Sequence, residues 1–143
     1  MIGPVNTAYI TPINTECIEF ITLPMGDVEL NLEYNKCRMF VLPSTSESFC
    51  NVLIEAFACN TLSVGDGYIG AIANFNQLKP FFYGSSDGCK SKLLSNIINF
   101  LELNSNFTLE PSKIVNHLFS IEINKPKIKE FFKLCRDHPI SLV

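Results

Sequence analysis

The sequence predicts an α/β fold, a Rossmann-like three-layer sandwich with a mainly parallel sheet and helices towards its C-terminus. Short apolar runs alternate with segments of helical periodicity, and turns such as Gly65-Asp66-Gly67 separate them. The run at residues 38–42 is apolar after its first residue, which is typical of a strand that is buried on both faces of a parallel sheet. Alternation of strands and helices is the pattern of α/β domains.

Local signals predict the individual elements. The β-branched and aromatic run at 17–23 predicts a strand that ends at Pro24, and 27–35 predicts a helix with Asp27 as its N-cap. Residues 39–42 are the expected central strand. The remaining predicted elements are the helix 51–59, the strand 61–64, a helical turn over 69–76, an edge strand at 81–83, and helices over 90–103, 111–118 and 126–135, the last two with proline near their starts.

One domain is expected, because 143 residues are enough for a single hydrophobic core. The helix 51–59 should cover the sheet in this core. We expect it to pack through its apolar side chains, which are Val52, Ile54, Phe57 and Ala58.

Charge and hydropathy exclude two classes of partner. The net charge is −3, and the lysines and arginines are scattered, so the concentrated basic face that nucleic acids require is missing. No apolar run approaches the roughly 20 residues that span a bilayer. The first four residues lack the basic region and apolar core of a signal peptide. We therefore expect a cytoplasmic protein without a nucleic-acid partner or a membrane span.

The six cysteines predict neither a disulfide framework nor a metal site. They are widely spaced, form no Cys-x-x-Cys pair, and have only His117 and His138 as further soft ligands. Reduced structural thiols in a cytosolic protein are the better interpretation. Four of them lie within or beside apolar segments, as buried free thiols do: Cys17, Cys37, Cys59 and Cys135.

The candidate site follows the predicted strand 38–42. The apolar run stops at Pro43, and a polar loop then leads into the helix 51–59. The first-turn amides of such a helix point outwards, and its dipole favours an anion. Glu47 and Glu55 flank this turn, where they could accept hydrogen bonds from sugar or ribose hydroxyls on either side of a phosphate. A helix-start acid at Glu47 and a solvated surface carboxylate at Glu55 are the simpler alternatives.

The same residues resemble a known family. The string Pro-Ser-x-x-Glu-Ser-Phe, followed by Val-Leu-x-Glu-Ala, resembles the Glu-x7-Glu signature of retaining GT-B glycosyltransferases of family 4, the glycosyl transferases group 1. The resemblance extends over residues 17–75 and thinly to about 135. It implies that residues 1–143 form a single nucleotide-sugar-binding domain, one half of a GT-B fold, like the family's C-terminal donor-binding domain. The first strand of that domain and the N-terminal domain would be lacking.

The resemblance also implies a reaction. A hexose would pass from a nucleoside diphosphate sugar to a hydroxyl acceptor with retention, without a cofactor or an obligatory metal. Glu47 would be catalytic, facing the donor hexose near its anomeric centre, and Glu55 would bind the ribose. The other expected donor-binding residues, which act mainly through backbone amides, are Ser48, Phe49, Cys50, Asn51 and Val52.

Departures from the family pattern favour a second interpretation. The family's diphosphate-binding arginine and lysine have no counterpart, because no arginine precedes Arg38 and no lysine precedes Lys36. Cys50 replaces a glycine, and its side chain is expected to narrow the approach to the backbone. A catalytic role for this cysteine lacks a nearby histidine. Asn60 also replaces a glycine, which suits a left-handed residue at a helix end.

Three possibilities therefore stay open. The chain is the donor half of a glycosyltransferase, completed by a separate acceptor-binding chain or by a homo-oligomer. Alternatively it is a catalytically inactive GT-B remnant that serves as a binding, regulatory or structural module, or an unrelated α/β domain. In the first case we expect the chain alone not to transfer sugar at a useful rate, because one half-cleft cannot position the acceptor.

Overall fold

The computed structural model describes Ile21 and residues 24–84, 92–103 and 109–137. The chain divides into two compact units, residues 1–33 and residues 34–143. Most of the predicted strand 17–23 lies outside the described residues, as do Cys17, Cys89 and His138.

Helix α1, Asp27–Lys36, confirms the helix predicted over 27–35 to within one residue. The prediction that Asp27 is its N-cap is wrong. The amide of Leu30 donates to the carbonyl oxygen of Gly26 at 3.0 Å, which makes Gly26 the residue before the first turn. Asp27 and Glu29 lie within that turn, where the positive end of the helix dipole favours their carboxylates.

In residues 34–143, short strands and helices alternate as the sequence predicts. The elements in chain order are β1 (Phe40–Leu42), β2 (Ser46–Glu47), α2 (Asn51–Ala58), β3 (Ser63–Gly65), β4 (Tyr68–Ile69), α3 (Gly70–Asn74), a 3₁₀ helix (Asn76–Phe81), β5 (Phe82–Tyr83), α4 (Leu93–Leu103), α5 (Pro111–Phe119) and α6 (Ile121–Asp137). The helical turn expected over 69–76 and the edge strand at 81–83 correspond to α3 and β5.

Strands β1, β3 and β5 form a parallel sheet in that order, which confirms the predicted α/β, Rossmann-like fold. The central position predicted for β1 is not tested, because most of the predicted strand 17–23 lies outside the described residues. Among the described strands β3 is central, and all three of its residues are buried, whereas β1 lies at an edge. Val41 is 36 % exposed. Burial on both faces was predicted for this apolar run, and the exposure of Val41 departs from that prediction.

The alternation of side chains along the strands separates two helical layers. Leu42 and Phe82 contribute to one core cluster with Leu53 and Phe57 of α2 and Val115 of α5. Tyr83, whose side chain alternates with Phe82, makes an edge contact with Phe100 of α4, with ring centroids 6.2 Å apart. Helices α2 and α5 thus cover one face of the sheet, and α4 covers the other, which gives the three-layer arrangement.

Helix α2 packs through a face that matches the expected one only in part, since Phe57 is buried as predicted and Val52 and Ala58 are not. Leu53, Ala56 and Phe57 are fully buried, whereas Val52 is 42 % exposed and Ala58 is exposed. Ile54 packs partly against the core. The spacing explains the correction, because residues 53, 56 and 57 share one stripe of a helix and residues 52, 54 and 58 do not share it.

The last helix starts earlier than predicted. Instead of starting near Pro126, α6 runs over Ile121–Asp137 with this proline in its interior. Ser120 sets the start, because its hydroxyl accepts from the amide of Glu122 at 3.2 Å and donates to the Glu122 carboxylate at 2.5 Å. The latter bond lowers the pKa of Glu122. Helix α5 agrees with its predicted span to within one residue, and α4, predicted over 90–103, is described over Leu93–Leu103. None of the helices in the described ranges has the length and apolarity needed to cross a membrane.

Candidate functional site

Two loops are tied together at the carboxyl edge of the sheet. Strand β2, which follows β1, pairs in parallel with β4, which follows β3, and the paired residues are Ser46 with Tyr68 and Glu47 with Ile69. Open α/β sheets bind ligands at this edge, beyond the carboxyl ends of the strands. Sequence reasoning missed this small ladder, because two residues a strand give no measurable periodicity.

Two glycines allow the loops to lie backbone against backbone. A Cβ atom on Gly67 would overlap the carbonyl oxygen of Ser44, and one on Gly70 would overlap the carbonyl oxygen of Ser48. The amide of Tyr68 donates to Thr45 O at 3.1 Å. The loop that carries Glu47 and Ser48 is therefore held against the segment that follows β3.

The start of α2 has an unusual residue before its first turn. Cys50 adopts a left-handed conformation, with φ 75° and ψ 75°, which costs a residue with a side chain about 1–2 kcal/mol. Its carbonyl oxygen accepts from the amide of Leu53 at 3.2 Å, but its side chain gives no capping hydrogen bond. The first-turn amides thus lack a capping side chain, and such amides can bind an anion.

The Cys50 side chain lies in the protein core. It is only 7 % exposed and belongs to the core cluster with Leu42, Leu53 and Ile69. The cysteine that replaces the family's glycine therefore affects mainly the backbone conformation at this position. Its side chain is too buried to narrow a ligand's approach to the backbone, although such narrowing was expected from the sequence. Burial raises the pKa of the thiol, which disfavours the thiolate that a nucleophilic cysteine needs.

Glu47 precedes this helix start in the chain and Glu55 follows it, and both carboxylates are close enough to act on Cys50. Both raise the pKa of the Cys50 thiol further, after the larger effect of burial, while its backbone hydrogen bond with Leu53 acts in the opposite direction. Glu47 is half-buried in β2, and Glu55 is exposed on α2. The phenol oxygen of Tyr34 lies 3.4 Å from Glu55 Oε2 and 3.3 Å from the carbonyl oxygen of Val52. Sequence reasoning missed Tyr34, which is 21 residues from Glu55.

The other predicted site residues surround the same point. Ser48, Asn51 and Val52 are exposed. Phe49 is half-buried, and its ring makes edge contacts with Phe75 and Phe119, with centroids 6.4 and 5.8 Å apart. The structure thus brings the predicted residues together, with Phe49 anchoring the loop in the core.

A cleft of about 450 Å³ opens beside the ladder, within the usual size range of small-molecule sites. It lies beyond the carboxyl ends of β3 and β5, and Lys79 adds a positive charge to an otherwise largely apolar wall. The lining residues, none of which the sequence singled out as a site, are Gly67, Tyr68, Ile69, Ile72, Ala73, Lys79, Phe82 and Gly84.

The cysteines only partly follow the sequence-based interpretation. Cys37, Cys50 and Cys59 are free thiols, but Cys37 is exposed and Cys59 half-buried, so the expected burial of these two is wrong. Cys37 lies between the end of α1 and the start of β1, outside both elements, so the apolar run of β1 does not bury it. Within the part of the chain that the structure describes, no three histidine, cysteine or acidic side chains converge as metal ligands.

Comparison with known proteins supports the family resemblance. Residues 14–76 match the family model described as Glycosyl transferases group 1. The matched segment is a little under half of the chain, and it contains β1–β4, α2, Glu47 and Glu55. Searches of curated proteins and of solved structures gave no significant match. This part of the chain is therefore similar to glycosyl transferases group 1.

Proposed function

We propose that the chain binds a nucleoside diphosphate sugar and supplies the donor half of a retaining hexosyl transfer to a hydroxyl acceptor. The observation that carries the proposal is the site at the start of α2. Two carboxylates, Glu47 and Glu55, flank a helix start without a capping side chain, and both lie within the segment that is similar to glycosyl transferases group 1.

In this proposal, three groups of the protein each contact one part of the ligand. The amides of Asn51 and Val52 receive the diphosphate, because the first turn carries the positive end of the helix dipole. Glu55 lies one turn further, about 6 Å along the axis, and side chains of a helix tilt back towards its N-terminus. Its carboxylate can therefore meet the ribose, while Glu47 is on the opposite side of the helix start, towards the hexose. No metal or cofactor takes part in this scheme.

A catalytically inactive binding module is the second candidate. The observation that favours it is that residues 1–35 contain neither lysine nor arginine, so this part of the chain offers no side-chain cation to offset a diphosphate. In the active version of the proposal, a separate acceptor-binding chain or a second copy of this chain supplies these cations. The inactive module would bind the sugar nucleotide without transferring the sugar. We propose a cytoplasmic location for both the active and the inactive form, because sugar nucleotides and reduced thiols occur together there.

Glu55→Ala tests the proposed site. UDP, GDP and ADP are titrated into the wild-type chain by isothermal titration calorimetry, and the nucleotide that binds most tightly is used for the comparison. We expect Glu55→Ala to weaken its binding free energy by about 1–3 kcal/mol, the scale of a lost charge-assisted hydrogen bond. Glu110→Ala is the matched control, since this exposed glutamate pairs with Lys113 at the start of α5. Unchanged affinity in Glu55→Ala would place the ribose elsewhere.

A further inference from the structure

Tyr34, the last but two residue of α1, is held rigidly within residues 34–143. It is 7 % exposed, and its ring meets the Phe40 ring edge-on, with centroids 5.9 Å apart and planes at 72°. Its carbonyl oxygen accepts from the Thr61 hydroxyl at 2.8 Å and from the Cys37 amide at 3.1 Å. Ring and backbone are thus both fixed, so the phenol oxygen has a defined position beside α2.

The phenol has one proton and two acceptors on α2. Its oxygen lies 3.3 Å from Val52 O and 3.4 Å from Glu55 Oε2, so both contacts are long and the proton is shared. The Val52 carbonyl is part of the helix backbone and cannot move, whereas Glu55 is exposed on the helix surface and its carboxylate is otherwise free to take several rotamers. The hydrogen bond from Tyr34 therefore restricts the side-chain conformation of Glu55, whereas it leaves that of Val52 unchanged.

The contact leaves most of the carboxylate open. An ionised carboxylate offers about four acceptor sites on its two oxygens, and the shared proton of Tyr34 occupies one of them, on Oε2. Oε1 and the second site of Oε2 stay available to two neighbouring hydroxyls. A glutamate that is already oriented loses less side-chain freedom when a ligand binds, and this lowers the cost of binding.

We propose that Tyr34 is a positioning residue, which orients the Glu55 carboxylate to accept hydrogen bonds from the 2′- and 3′-hydroxyls of a ribose. The inference rests on the proposed function and adds the group that determines its ribose recognition. Tyr34 itself does not touch the ligand. Its hydroxyl acts through Glu55, so its effect depends on both that carboxylate and the ribose hydroxyls.

The test is a set of titrations with Tyr34→Phe, which removes the hydroxyl and keeps the ring against Phe40. Wild type and variant are titrated with UDP, GDP and ADP and with the 2′,3′-dideoxy form of whichever binds most tightly. We expect Tyr34→Phe to weaken binding of the ribose form roughly 3- to 10-fold, the effect of one hydrogen bond, and to leave binding of the dideoxy form unchanged. In a Glu55→Ala background, Tyr34→Phe should have no further effect. Tyr83→Phe, which removes a hydroxyl next to Phe100, is the matched control and should bind as wild type does.

The outcomes separate the two proposals. If Glu55→Ala weakens binding and Tyr34→Phe does not, the proposed function stands and the positioning role is wrong. An equal loss for the ribose and dideoxy forms would mean that Tyr34 acts through the fold alone, and this also overturns the inference. If the wild-type chain binds none of the three nucleotides, the proposed function fails and the inference fails with it.

Discussion

Gly70→Ala is expected to destabilise the protein by about 1–3 kcal/mol, near the upper end of this range, and to weaken nucleotide binding tenfold or more. A Cβ atom at this position overlaps the carbonyl oxygen of Ser48 and lies 2.7 Å from the attached carbon. The obstacle is backbone and cannot rotate away, so the loop with Glu47 and Ser48 must move. That loop leads directly into the left-handed Cys50 and the first turn of α2, and its displacement alters the proposed anion site as well.

Urea unfolding and a nucleotide titration of the same variant measure the two effects. Gly26→Ala is the control, because a Cβ atom there meets only the end of the Glu29 side chain, which can turn aside. We expect this control to cost about 0.5 kcal/mol, the difference between glycine and alanine before a helix, and to leave binding unchanged. If Gly70→Ala unfolds at the wild-type urea concentration and binds normally, the close contact between the two loops does not form.

Phe57→Ala should cost about 3–5 kcal/mol, which is a large part of the 5–15 kcal/mol that stabilises an ordinary domain. The Phe57 side chain is fully buried between α2 and the sheet, and its ring meets Phe81 at 5.8 Å between centroids. Its removal takes apolar surface out of the core and leaves a cavity that close-packed neighbours fill only in part.

Val52→Ala is the informative control for this substitution. Val52 is on the same helix but 42 % exposed, so we expect its truncation to cost less than about 1 kcal/mol. The difference between the two midpoints of urea unfolding measures which face of α2 is buried. Equal destabilisation by both substitutions would restore the packing face that the sequence alone suggested and contradict the one observed.

Elements with a strong local signal could be predicted from the sequence. The apolar run before Pro43 predicted β1, and the helical periodicity over 90–103 and 111–118 predicted the helices that the structure describes as α4 and α5. The order of strands could not be predicted, because the same apolar run suits an edge or a central position. The start of α6 was missed because the Ser120 cap is a weaker signal than Pro126, although the side-chain bonds of Ser120 set the observed start.

The sequence could predict those residues of the candidate site that are close to one another along the chain. It could not predict the residues that tertiary contacts bring to the site. Glu47 and Glu55 are eight residues apart on consecutive elements, so spacing alone brings them to one helix start. Tyr34 meets Glu55 through a contact between residues 21 positions apart in the chain, and no local pattern encodes that contact. The ladder between β2 and β4 and the cleft beside it depend on the register of separate strands in the same way.

Asn60 gives a reason for one departure from the family pattern. Its φ of 60° is the left-handed conformation expected where α2 ends, and glycine would adopt it more easily. Glycine, however, has no side chain, and Asn60 Oδ1 accepts a hydrogen bond from the amide of Ser112 at 3.1 Å, in the first turn of α5. One residue thus ends one helix and caps another that starts 51 residues later. Helix α5 lies outside the family-like segment, and this hydrogen bond links the first turn of α5 to the end of α2 within that segment.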